Sequence, residues 1–118
     1  MITRNIFITT QKEFIHQYVD APEEVWFLRD LHRHMLHVKV EIEVFNNDRE
    51  LEFIILKREL EDYLDSLDLC TPSNRSCETI AESILNYFQE EYGSDRDLEV
   101  TVSEDGENGS TLKYTKEV

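Results

Sequence analysis

Between His34 and Val44 the sequence alternates with a period of two. Leu36, Val38, Val40, Ile42 and Val44 fall on one side of an extended chain, and His37, Lys39, Glu41 and Glu43 on the other. This is the pattern of a strand with one face on an apolar core and the other toward polar surroundings. Such a strand needs partner strands beside it and a layer over its apolar face. The rest of the chain offers both. Ile2, Ile6 and Ile8 share one parity, so Ile2 to about Thr10 reads as a first strand. It pairs with the second as a long antiparallel hairpin or lies as its neighbour. Residues 11–31 are mixed, and "DAPEEVW", with Pro22 and two acids, reads as a loop. "FNNDRE" closes the second strand with turn-forming residue types.

The covering layer comes next. Phe53, Leu56, Leu60, Leu64 and Leu67 fall at helical spacing and predict a helix from about Leu51 to Leu67, stopped before Pro72. Ser76 is an N-cap for a second helix, which runs to about Tyr92 with Ile80, Ile84, Tyr87, Phe88 and Tyr92 as its stripe. Gly93 fits the position just past a helix end. A closing hairpin follows. Leu98, Val100 and Val102 share one face, Leu112 and Tyr114 share another, and "DGENGS" brings two glycines to the turn. The expectation is an α+β fold in ββααββ order: a four-stranded antiparallel sheet with two helices on one face.

With 118 residues the chain is expected to form a single domain, 1–118. A lone core of this size is modest, which favours a homo-oligomer. The formal charge of -14 disfavours phosphate backbones and anionic lipid surfaces, so neither a nucleic acid nor a membrane is the expected partner. There is no long apolar run, and "MITRNIFITTQKEF" lacks the apolar block of a signal peptide. Cys70 and Cys77 do not make a disulfide framework or a four-cysteine zinc site. A cytoplasmic setting is the expectation.

Two features point to chemistry. His32 and His34 lie two apart in a strand, so they share a side, and by parity it is the apolar side of Leu36 and Val38. His37 falls on the other side. Two same-face imidazoles suit zinc, and His16, the one remaining histidine, would complete a three-histidine set with an open fourth position. The other reading is a pair of partly buried histidines bonded to backbone groups. Glu104 shares the parity of Leu98, Val100 and Val102. An inward carboxylate needs a partner. It could accept two hydrogen bonds from an amidine-like or guanidine-like edge, or lie past the buried part of its strand and meet water.

Taken together, "KEFIH", "LHRHMLHVKVEI", "EFIILK", "LDL", "RSCETIA" and "LEVTVSE", in this order and spacing, resemble the 6-pyruvoyltetrahydropterin synthase and 6-carboxytetrahydropterin synthase family. The resemblance covers about Ile6 to Tyr114. It implies a tunnelling (T-) fold and hexamers in which strands of separate subunits close a barrel, with active sites between subunits. It implies Zn2+ held by His16, His32 and His34. It further implies a pterin ring anchored by Glu104, and Ser76 and Cys77 in the ligand pocket.

The departures from the family pattern are as informative. The usual catalytic cysteine is replaced by Leu28, and the catalytic histidine after the aspartate of "LDH" by Leu69, although Asp68 remains. Leucine can neither take nor give a proton. Arg33 replaces the glycine of the family's "HGH". Asp68, Glu24 and Asp30 are the candidate replacement acids, beside Glu23 and Cys70, although an acidic loop is also an ordinary solvated surface. The expected function is a zinc-containing binder of a pterin- or purine-like small molecule with altered or lost synthase activity. The alternatives are an active lyase on 7,8-dihydroneopterin triphosphate with a substitute acidic base, and a structural or protein-binding module.

Overall fold

The computed structural model describes residues 1–117. Strands β1 (Arg4–His16), β2 (His32–Val44), β3 (Leu98–Glu104) and β4 (Asn108–Tyr114) form one antiparallel sheet in the order β1-β2-β3-β4. Helices α1 (Phe53–Ser66) and α2 (Cys77–Tyr92) lie between β2 and β3 in sequence. The ββααββ order and the α+β class stand as expected, and the sheet is open, with β1 and β4 at its edges.

The alternating pattern of β2 does what its parity requires. Leu36, Val38, Val40 and Ile42 are buried, while Met35 and Lys39 are exposed. The register Ile8↔Val40 and Val40↔Val100 carries the same face across to β1 and β3. Over this face lie Leu56, Leu60 and Leu64 of α1 and Ile80, Ile84 and Phe88 of α2. Each fully buried side chain of this size contributes about 1.5–3 kcal/mol. α1 packs on β1, and α2 on β3 and β4. Between the helices, Tyr63 and Tyr87 stack at 4.3 Å, and Glu59 accepts hydrogen bonds from Tyr87 (3.0 Å) and Tyr92 (2.5 Å).

Four expectations need correction. β1 does not end near Thr10 but runs to His16, because the two polar residues that interrupt its apolar row find partners on α1: Thr10 Oγ1 donates to Glu61 and Lys12 pairs with Asp65. Ile2 lies outside the strand and is exposed. "DAPEEVW" is not simply a loop, since Glu23–Arg29 forms a short 3-10 helix entered after Pro22. Phe53 does not join the buried stripe of α1. It is exposed at the first position of the helix, and Glu52 caps that end by accepting from the Ile55 N–H at 2.9 Å. The second helix keeps the predicted frame: Ser76 Oγ accepts from the Thr79 N–H at 3.1 Å, and Gly93 ends it at φ +93°.

At the Val44 end of β2, a polar clamp ties the sheet to its flanks. Glu43 is buried and accepts from Lys116 Nζ at 2.8 Å and from the Asp97 N–H at 3.0 Å. Arg96 donates to the Glu43 carbonyl (3.0 Å) and to Glu50 (2.6 Å). Lys116 and the Asp97 N–H hold the Glu43 carboxyl below its ordinary range. Among the described residues, no helix is long and apolar enough to cross a membrane.

Candidate metal centre and cleft

The other end of the sheet holds a different cluster. The register places His16 opposite His32 and Phe14 opposite His34 on β1 and β2, and Leu36 opposite Glu104 on β2 and β3. All four polar side chains point to the helix-covered face, as the parity of the sequence requires. They gather near the start of α2, at Ser76 and Cys77. His16 is buried, and His32, His34 and Glu104 are half-buried. One ligand atom from each lies within 4.8 Å of the others, so the group could hold a metal ion.

The hydrogen bonds set the imidazole tautomers. His16 Nδ1 meets the Arg75 carbonyl at 2.9 Å, and His32 Nδ1 meets the Asp30 carbonyl at 2.8 Å. His34 Nδ1 meets Asp105 Oδ2 at 2.7 Å. Carbonyl and carboxylate oxygens only accept, so each ring carries its proton on Nδ1 and, when neutral, turns the Nε2 lone pair inward. His32 Nε2 and His34 Nε2 are buried without a hydrogen-bond partner. Glu104 Oε2 lies 3.1 Å from His16 Nε2 and 2.5 Å from His34 Nε2, the latter contact being off the line of a hydrogen bond. Buried polar atoms are rarely left unsatisfied, and three lone pairs with a carboxylate around one point repel unless a cation or protons lie among them. Nδ1 hydrogen-bonded outward and Nε2 free inward is the arrangement of metal-binding histidines. The donor set therefore fits a divalent ion, with nitrogen donors that suit zinc among others.

The two sequence readings of the H-x-H pair do not exclude each other. The histidines do bond backbone and side-chain acceptors, through one nitrogen each, and that bonding is what frees the second nitrogen. Spacing could not reveal the acceptors. The Arg75 carbonyl, the Asp30 carbonyl and Asp105 come from three separate loops. Arg75 is held in turn by its guanidinium, which donates to the carbonyls of Leu67 (2.7 Å) and Asp68 (3.1 Å) just past the end of α1. There a cation is favoured by the helix dipole.

Beside the cluster opens a cleft of about 510 Å³, within the usual range of small-molecule sites. His16, His32 and Glu104 meet Ser76 and Cys77 in its wall, with Tyr18 and Asn108 also lining it. Ser76 opens α2, and its hydroxyl is engaged in capping. Cys77 is buried, and burial, followed by the charges of Glu104 and Glu78, pushes its thiol up to about 11. It is a packing and lining group rather than a thiolate.

The candidate replacement acids are placed elsewhere. Among the described residues, the cleft lining includes Leu28 but not Glu23, Glu24, Asp30, Asp68 or Cys70. Glu24 is exposed on the 3-10 helix, and Asp30 serves through its backbone carbonyl. Asp68 is exposed at φ +50°, and Leu69 is in the core at 3% exposure. His37 sits on the opposite sheet face, beside the turn at Gly106. Arg33 is exposed there too and pairs with Glu13 at 2.9 Å. Sequence reasoning missed Asp105, which its "EDG" context marked only as a turn. Met35, through its N–H, and then His34 hold the Asp105 carboxyl below its ordinary range.

No family model matches the chain, and no curated protein matches it.

Proposed function

We propose that the chain is a zinc-containing binder of a pterin- or purine-like small molecule, similar to the 6-pyruvoyl- and 6-carboxytetrahydropterin synthases but with altered or lost synthase chemistry. The single observation that carries this reading is the convergence of three Nδ1-anchored imidazoles beside an open cleft that contains Glu104. When bound, zinc would polarise a ligand oxygen at its open position. The chain's own residues do the rest. His16, His32 and His34 hold the ion. Glu104 accepts from the ligand's NH groups, and the opening of α2 at Ser76 and Cys77 shapes the wall. A flat bicyclic ring with an amidine-like edge suits a carboxylate acceptor.

Loss of chemistry is supported by Leu28 in the cleft wall and Leu69 in the core. Proton transfer needs a titratable group within hydrogen-bond reach of the reacting atom. Charge supports the same choice. Glu78 and Glu104 line the cleft, and Arg75, its one arginine or lysine among the described residues, already donates to carbonyls. A triphosphate would enter an acidic site of a chain with formal charge -14. The active lyase on 7,8-dihydroneopterin triphosphate remains the second reading. Glu23, Glu24 and Asp30 share the segment that carries Leu28 but lie outside the cleft lining, so this reading needs that segment to bring one of them in. The open cleft speaks against a purely structural or protein-binding module. By the resemblance, copies associate as a homo-oligomer, a hexamer.

The test is zinc content of the purified protein together with titration of pterins and purines, using Glu104→Ala as control. Expected are bound zinc and ring binding that the variant loses. A metal-free wild type with no affinity for either ring class sinks the proposal. Turnover of the triphosphate substrate by zinc-loaded protein would move the reading to the lyase.

A further inference from the structure

Consecutive residues of a strand point to opposite faces. Glu104 and Asp105 are consecutive, yet both carboxylates reach the same imidazole. Glu104 Oε2 lies 2.5 Å from His34 Nε2, and Asp105 Oδ2 lies 2.7 Å from His34 Nδ1. The backbone makes this possible. Asp105 takes φ +58° and Gly106 φ +72°, in a turn closed by the Glu107 N–H on the Glu104 carbonyl at 3.0 Å. The left-handed region is costly for most side chains and least so for Asp and Asn. Asp105 is then locked to β2 twice, at the residue next to His34. Its N–H donates to the Met35 carbonyl at 2.7 Å, and its Oδ1 accepts from the Met35 N–H at 2.9 Å.

We propose that Asp105 is a positioning residue of the metal site, a carboxylate that fixes the tautomer and angle of His34 and strengthens it as a donor. The inference rests on reading the histidine cluster as a metal centre. It adds an asymmetry that reading does not contain. His16 and His32 are oriented by neutral carbonyls, and His34 alone by a charge. A carboxylate behind a ligating imidazole raises its basicity, and loss of such partners lowers metal affinity about 10–100-fold. The strained turn thus has a use: it brings a second carboxylate to a face that strand geometry would deny it.

The test compares wild type with Asp105→Asn, which keeps size and tolerance of positive φ but loses the charge. Zinc affinity is measured by chelator competition, the ligand field by the visible spectrum of the cobalt-substituted protein, and folding by thermal melting of the metal-free protein. Expected is affinity weakened about 10–100-fold and a changed cobalt spectrum, with the metal-free melting temperature nearly kept. Wild-type affinity and spectrum in the variant overturn the proposal and leave the metal centre standing. A folded wild type that binds no metal overturns both. Should the variant fail to fold, long-range proton–nitrogen NMR of zinc-loaded wild type decides. Nδ1–H with metal on Nε2 of His34 supports the proposal, and metal on Nδ1 overturns it.

Discussion

β2 carries a polar cluster at each end, and the two are built on opposite principles. Near Val44, unlike groups are paired: Glu43 with Lys116 and the Asp97 N–H, and Glu50 with Arg96. Arg96 Nε is the atom of that clamp left without a partner. Near His32, groups of one kind are pooled. Three Nε2 atoms and a carboxylate face one another, while each ring's other nitrogen is bonded away from the centre. A cluster of paired opposite charges, with one guanidinium nitrogen left over, serves the fold, because paired groups stabilise the folded chain. A cluster that pools lone pairs costs stability until something cationic enters it. The contrast sets a cluster of paired charges apart from one that could hold a metal ion.

The sharpest way to break this contrast is to supply the ion. Zinc at about a hundred times its dissociation constant should stabilise wild type by about 2.7 kcal/mol, a rise of roughly 10 °C in melting temperature. His16→Ala should abolish that rise. An equal rise in the variant would place the metal elsewhere. Scanning calorimetry reads both.

At the clamp the expected effect is smaller and has the opposite logic. Glu43→Gln should destabilise the metal-free protein by about 1–3 kcal/mol at neutral pH, by weakening bonds to Lys116 and the Asp97 N–H. The folded Glu43 pKa is lowered, so its stabilisation is present above the ordinary value of 4.5 and is lost as pH falls through the lowered one. Denaturant melts at neutral and acidic pH should therefore show wild type and variant converging in acid. A gap that stays constant with pH would mean that the loss is one of packing.

Arg33→Ala should have the smallest effect, within about 1 kcal/mol, because its pair with Glu13 is exposed. It should also leave zinc affinity unchanged, since the side chain lies across the sheet from the cluster. A change in metal binding would show coupling through the strand.

How much of this was legible in the sequence follows the range of each interaction. The alternation of Leu36 to Val44 marked the buried face of β2 and the side of His32 and His34, and the parity of Leu98, Val100 and Val102 marked that of Glu104. Ser76 and Gly93 bounded α2 because caps are local chemistry. β1 beyond Thr10 was hidden because Lys12 occupies the buried parity and is satisfied by Asp65, half the chain away. Phe53 keeps the helical spacing, yet spacing does not say whether the first turn of a helix is covered, and Phe53 is exposed. The anchors of the imidazoles were out of reach for the same reason. Two are backbone carbonyls, which no residue type announces, and the third needs a positive φ at Asp105.

Metal content decides whether the pooled end of β2 is a metal centre. Wild type and the double variant His32→Ala, His34→Ala would be purified, dialysed against metal-free buffer and assayed by elemental mass spectrometry. Expected are about one zinc per chain in wild type and none in the folded double variant. A folded wild type without bound metal, or a double variant that keeps the same stoichiometry, would contradict a metal centre there.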